Sequence, residues 1–198
     1  MAFPTDLLEL ARDIAKLRED STHQASLRRA VSTTYYALFH LLISEATANW
    51  ARPELRAILG RSFDHGPMKT ASESKIAQIN TRLKSTQSGQ DSIVDIHLRT
   101  VADAFVQAQK RRIEADYNIA KDWTPVEVET QIALVADAFK AWESIRDEAV
   151  AQAYLVSLLG TKERRPNEPK PPTSAPENRK KRSSPRPTSG GWRRAPPT

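Results

Sequence analysis

The chain has 198 residues and a mass of 22.2 kDa, enough for one domain with an appendage or two very small domains. It contains no cysteine, which excludes a disulfide scaffold, a thiolate nucleophile and a cysteine zinc site. Charge is unevenly placed: residues 161–198 hold 11 Lys+Arg against three acids, a net of +8, and the remainder holds 19 bases against 21 acids, a net of −2. The sequence pI of about 9.7 therefore describes a cationic C-terminal arm and argues against a uniformly basic nucleic-acid-binding domain.

Nine of the 13 prolines follow residue 165. With so few helix breakers before that point, residues 1–160 are expected to bury one core. No apolar run approaches the ~18 residues that span a bilayer. The start, MAFPTDLLELARD, carries acids where a signal peptide carries bases. The expectation is a cytoplasmic protein that does not enter membranes.

Helical periodicity runs through the first 160 residues, with no strand-like alternation. Thr5 is a candidate cap for a first helix, with Leu7, Leu10, Ile14 and Leu17 at helical spacing. The spacing predicts a second helix over residues 24–48. At about 100° per residue, Leu27, Val31, Leu38 and Leu42 share one side, and Arg29, Thr33, Tyr36 and His40 share the other. A short turn of helix starts at Pro53 and ends near Gly60. Pro67 suits the first turn of a helix reaching about Leu83, with Met68, Ala71, Ile76 and Ile79 as its apolar positions. Residues 84–90, KSTQSGQ, are expected to form a loop.

A long helix follows over residues 91–119, with Val94, Leu98, Val101, Phe105 and Ala108 as its buried stripe. Thr124 and Glu127 have capping-box spacing around Pro125, the best local start signal in the chain. The last helix uses Val128, Ile132, Val135, Phe139, Trp142 and Ile145, and is expected to continue to Gly160. Beyond it, residues 161–198 offer almost nothing apolar to offset ordering, about 1–2 kcal/mol per residue for the backbone. They are expected to be a disordered, basic, proline-rich tail. The fold class is all-α, an up-and-down bundle of four to five main helices.

Catalytic patterns are scarce. There is no glycine-rich phosphate loop, HExxH or nucleophile elbow, and the four histidines, His23, His40, His65 and His97, show no metal-type pairing. No metal site, cofactor or catalytic residue is assigned. The polar stripe Arg29, Ser32, Thr33, Tyr36 and His40 is a candidate binding face: arginine can clamp phosphate, tyrosine can stack on a base, and histidine can move a proton. The alternative is that it faces solvent or a neighbouring helix. Arg112, Asp116 and Tyr117 form a second candidate group. Arg112 and Asp116 are four apart, so an intrahelical ion pair is the inexpensive explanation. The functional one is that Asp116 or Tyr117 reaches across to Arg29 or Tyr36. In the tail, Arg179, Lys180, Lys181 and Arg182, then Trp192, Arg193 and Arg194, are candidate phosphate-gripping clusters with a tryptophan able to stack. The alternative there is a solvating extension without a ligand.

The stretch Leu27-Arg28-Arg29-Ala30-Val31-Ser32-Thr33-Thr34-Tyr35-Tyr36-Ala37-Leu38-Phe39-His40 resembles the signature helix of HEPN domains (higher eukaryotes and prokaryotes nucleotide-binding). Arg112-Ile113-Glu114-Ala115-Asp116-Tyr117 resembles the arginine–x–x–Ala-Asp-Tyr segment of the same families, with Asp64-His65-Gly66-Pro67-Met68 as the intervening loop. The resemblance covers about residues 5–150. It implies a four-to-five-helix bundle, usually a homodimer. It also implies nucleotide or RNA handling, often in prokaryotic toxin–antitoxin, phage-defence or stress systems, with a nucleotidyltransferase or an antitoxin as a possible partner.

Some HEPN proteins are metal-independent endoribonucleases. They carry an arginine, four to six residues and then a histidine, on a late helix near the dimer interface. This chain departs from that pattern. Arg18 and His23 have the spacing but straddle the first turn, Arg61 and His65 are one residue too close, and no histidine follows His97. The expected function is therefore a HEPN-like module binding RNA, a nucleotide or a partner protein. Two alternatives stand beside it. One is an atypical ribonuclease built from Arg29, His40, Arg112 and Asp116; the other is a structural adaptor.

Overall fold

The computed structural model describes residues 2–16, 23–85 and 89–160. All of them belong to the unit Met1–Lys162; the second unit, Glu163–Thr198, including the predicted tail and its basic clusters, lies outside the described residues. Seven α-helices and no strand occur among the described residues: α1 Ala2–Lys16, α2 Gln24–Ala48, α3 Arg56–Gly60, α4 His65–Ser85, α5 Gly89–Tyr117, α6 Pro125–Ile145 and α7 Ala149–Ser157. A 3-10 turn, Pro53–Leu55, leads into α3. The all-α expectation holds, and no helix among the described residues is long and apolar enough to cross a membrane.

Helix α2 is the hub, touching α1, α3, α5, α6 and α7. Residues 30–35 are all buried, and Thr34, Tyr35, Ala37 and Leu38 are wholly shielded from solvent. A helix covered on all sides shows no clean polar face. That corrects the two-sided reading of this segment: Ser32 (2% exposed) and Thr33 (5%) are interior residues. Their burial carries little penalty where the hydroxyl finds a partner, as Thr34 does on the Ala30 carbonyl at 2.8 Å.

Several boundaries move for identifiable reasons. Helix α1 begins at Ala2, so Thr5 lies inside it and is not its cap. Pro4 sits in the first turn, where a missing N–H costs nothing. The buried positions of α1 are Pro4, Leu8 and Ala11, and Leu10 is 48% exposed. The apolar stripe is thus offset from the predicted one; Leu17 lies outside the described residues. Helix α4 starts at His65, two residues before Pro67, and Met68 N–H closes its first turn on the Asp64 carbonyl at 3.1 Å. Much of the predicted 84–90 loop is helical: Lys84 and Ser85 close α4, Gly89 and Gln90 open α5, and residues 86–88 lie outside the described residues.

The capping box at α6 forms as its sequence requires. Thr124 Oγ1 accepts from Glu127 N–H at 3.2 Å, and Glu127 Oε2 accepts from Thr124 N–H at 2.9 Å. The expected single helix to Gly160 is instead broken at Arg146–Glu148. There Arg146 pairs with buried Glu45 of α2 at 3.1 Å, and its carbonyl accepts from Gln152 at 2.5 Å. Both contacts bend the chain back so that α7 can bury Tyr154 and Leu155. Tyr154 then shares a 2.8 Å hydrogen bond with Ser72 of α4.

Gly160 stops α7 with φ +58°, a conformation side-chain-bearing residues avoid. A Cβ there would lie 2.6 Å from Pro67 Cβ. Gly66 is helical, and a Cβ there meets nothing within 4 Å. Gly160→Ala is therefore expected to cost about 1–2 kcal/mol. Gly66→Ala should be neutral or stabilising by up to about 1 kcal/mol. Denaturant midpoints check both, and equal effects would contradict the assigned backbone states.

Candidate functional site

Helices α2 and α5 run antiparallel, and polar residues bridge them at successive turns. Arg28 closes the C-terminal end of α5. Its guanidinium donates to the carbonyls of Ala115 and Asn118 at 2.9 Å each, Lys121 at 2.5 Å and Ile119 at 3.4 Å. The Ala115 carbonyl belongs to the last turn of α5 and the other three to the segment just beyond it, and a cation there also suits the helix dipole. One turn further along α2, Ser32 Oγ donates to Asp116 Oδ1. One more turn on, Tyr36 Oη accepts from Arg112 Nη2 at 3.0 Å. At the deep end Tyr35 packs on Phe105, ring centroids 5.7 Å apart.

Arg112 is the focus. Its Nε lies 2.7 Å from Asp116 Oδ2, and its guanidinium sits 5.6 Å from the Tyr36 ring centroid and 5.9 Å from that of Tyr117. The predicted intrahelical pair with Asp116 is present, and so is a cross-helix bridge. It runs from Asp116 to Ser32 and from Arg112 to Tyr36, and not to Arg29. The guanidinium hydrogen-bonds through Nη2, whereas Nε is ion-paired with Asp116 yet buried without an aligned hydrogen-bond partner; among the described residues Nη1 makes no hydrogen bond. The side chain is 19% exposed, so the guanidinium is partly enclosed between α2 and α5.

The second imidazole of the site comes from α4. His65 Nδ1 is 2.5 Å from Tyr35 Oη, and its ring lies 4.4 Å from Phe39. Its carbonyl accepts from Gln109 Nε2 at 2.9 Å, so α5 holds the backbone while α2 holds the ring. His40 lies one turn beyond Tyr36, half-buried against Phe3 and Phe39 at 5.1 and 5.4 Å. Burial pushes both histidines below the ordinary imidazole value. The Arg112 charge adds to this for His65, with Asp64 opposing, and His65 adds to it for His40. Burial likewise raises the Tyr35 phenol well above its usual range, so it remains protonated at neutral pH.

Of the predicted face, Ser32, Tyr36, Arg112 and Asp116 meet directly. Tyr117 (71% exposed) and His40 stand at the rim. Thr33 is interior, and Arg29 is exposed and joins none of the bridges. Arg28, Tyr35, His65 and Gln109 were not anticipated. The signal for His65 was present, a histidine before Gly-Pro at a helix start. The signal for Arg28 was a one-residue choice in a double arginine. Among the described residues no group of three or more His, Asp or Glu side chains is placed to hold a metal. A separate cleft of about 400 Å³ lies between α1 and α6, lined by Arg12, Lys16, Ile132, Ala136, Asp137 and Lys140.

The two adjacent arginines separate cleanly by stability. Arg28→Ala should cost about 1–3 kcal/mol, since the part-buried Ala115 and Lys121 carbonyls lose a charged donor. Arg29→Ala should stay within about 0.5 kcal/mol. Thermal or denaturant unfolding checks the pair; a reversed order would contradict the register of α2 on α5. Compared with known proteins, the chain matches no family model, no curated protein and no solved structure.

Proposed function

We propose that this chain is a HEPN-like helical module that binds a phosphate-bearing ligand, RNA or a nucleotide, in the recess between α2 and α5. In this reading it works as a homodimer in a prokaryotic toxin–antitoxin, defence or stress system. The observation that carries the reading is the state of Arg112. It is ion-paired through Nε, hydrogen-bonded through Nη2 and flanked by two tyrosine rings, Nη1 makes no hydrogen bond among the described residues, and its charge acts on His65. A pre-oriented guanidinium loses little freedom on meeting a phosphate oxygen. Tyr117 and Tyr36 offer ring faces on which a base can stack. The resemblance of the Tyr-Tyr and Ala-Asp-Tyr segments to HEPN domains supports the same reading, because these two segments build the recess.

A second reading, metal-independent RNA cleavage, draws support from one feature, an imidazole under the influence of a guanidinium with a second imidazole coupled to the first. Incubation of RNA with the protein in EDTA separates the two. Cleavage lost in His40→Ala or His65→Ala supports the enzyme; binding without cleavage supports the module; neither supports an adaptor.

The direct test is binding of a labelled single-stranded RNA and of a labelled mononucleotide to the full chain by fluorescence anisotropy. Arg112→Ala is expected to weaken binding at least about tenfold, the loss of one charge-assisted contact. Unchanged affinity in a folded Arg112→Ala protein would contradict the proposal. A steep salt dependence in that case would assign the binding to the cationic tail.

A further inference from the structure

Tyr35 is wholly buried, and among the described residues its hydroxyl has one partner, Nδ1 of His65 at 2.5 Å. A buried hydroxyl whose proton finds no acceptor carries a desolvation penalty. The Tyr35 proton has an acceptor only if Nδ1 is bare, and a neutral ring with a bare Nδ1 carries its own proton on Nε2. Charging the imidazole would place a proton on both nitrogens. Nδ1–H would then point at Tyr35 Oη, and the tyrosine's own proton would be stranded.

The surroundings act in the same direction. Arg112 on α5 faces the imidazole with positive charge, and His40 on α2 lies close enough to be affected by it. Tyr36 on α2 lies edge-on to the imidazole, ring centroids 6.2 Å apart. Asp116 on α5 is committed to Arg112 and Ser32. Asp64, just ahead of α4, is the one group that favours a charged ring. Phe39 lies against the ring at 4.4 Å and Gln109 holds the His65 carbonyl.

We propose that Tyr35 is a positioning residue. It holds His65 as the neutral Nε2–H tautomer, so that the imidazole meets an oxyanion in the α2–α5 recess as a hydrogen-bond donor. The oxyanion half of this inference rests on the function proposed above; the tautomer half stands on the Tyr35–His65 geometry. Arg112 Nη1 and His65 Nε2–H then form a donor pair whose charge is expected to stay constant between pH 6.5 and 8. Affinity for a ligand of constant charge is flat over that range.

The test uses the full chain with ¹⁵N-labelled histidine. The ring-nitrogen spectrum of the wild type is expected to show His65 as Nε2–H, with its titration midpoint below that of free histidine. In Tyr35→Phe, which keeps the aromatic ring, the midpoint is expected to rise by about half to one pH unit and the second tautomer to appear. An Nδ1–H wild type, or a midpoint unmoved in folded Tyr35→Phe, overturns the proposal. Should Tyr35→Phe fail to fold, the wild-type spectrum decides alone.

The ligand arm uses a dinucleoside monophosphate, whose single charge is constant over this range. Binding is expected to be flat from pH 6.5 to 8 in the wild type. In Tyr35→Phe it is expected to weaken several-fold as pH rises. No binding at any pH, with the tautomer as stated, overturns the phosphate-binding function and the donor role. It leaves the tyrosine lock confirmed by the spectrum.

Discussion

Helices α2 and α5 lie antiparallel, with Tyr35 against Phe105, Tyr36 on Arg112, Ser32 on Asp116 and Arg28 over the end of α5. Each of these polar bonds is worth only about 0.5–1.5 kcal/mol net. Sliding one helix past the other by a turn would break all of them together and leave the buried Ser32 hydroxyl and the half-buried Arg112 and Tyr36 without these partners. The apolar core, which includes Trp123, Trp142, Phe105 and Leu38, drives collapse but tolerates several registers. The polar ladder specifies one of them. It also explains why α2 has no solvent face over its central turns, because one side meets α5 and the others meet α1, α6 and α7.

That register creates the recess. Asp116 is needed to hold Arg112 and at the same time offsets part of its charge, so the site is not strongly cationic. The two nearby imidazoles are held neutral by burial and, for His65, by Arg112. Under the proposed function, recognition there would depend on where the donors point more than on the field they generate. The cationic arm of residues 161–198 would supply the opposite quality, attraction without geometry.

The bundle was legible because period-3.6 apolar spacing and one capping box are strong local signals, and the α6 start at Thr124 forms as written. The α2 reading went astray where tertiary context overrides pattern. Ser32 and Thr33 look like a polar face by angle, but they are interior because α2 is enclosed. Arg28 and Arg29 differ by one position, and composition does not say which guanidinium reaches a helix end three turns of sequence logic away, across 87 residues. His65 belongs to the site through a third helix, and its partnership with Tyr35 spans 30 residues. Neither pairing leaves a periodic trace in the chain. Arg112, Asp116 and Tyr36 were found because an i,i+4 pair and an aromatic double on a helix are visible without knowing the packing.

The central claim is that Tyr36–Arg112 and Ser32–Asp116 act as one connected bridge between α2 and α5. A double-mutant cycle on unfolding free energy, with Tyr36→Phe, Asp116→Asn and the double variant, tests it most directly, because these residues do not touch each other except through Arg112. A coupling of about 0.5–3 kcal/mol is expected for members of one network. Strict additivity, within about 0.3 kcal/mol, would mean that the two contacts are independent surface bonds and that no shared bridge sets the register or shapes the recess.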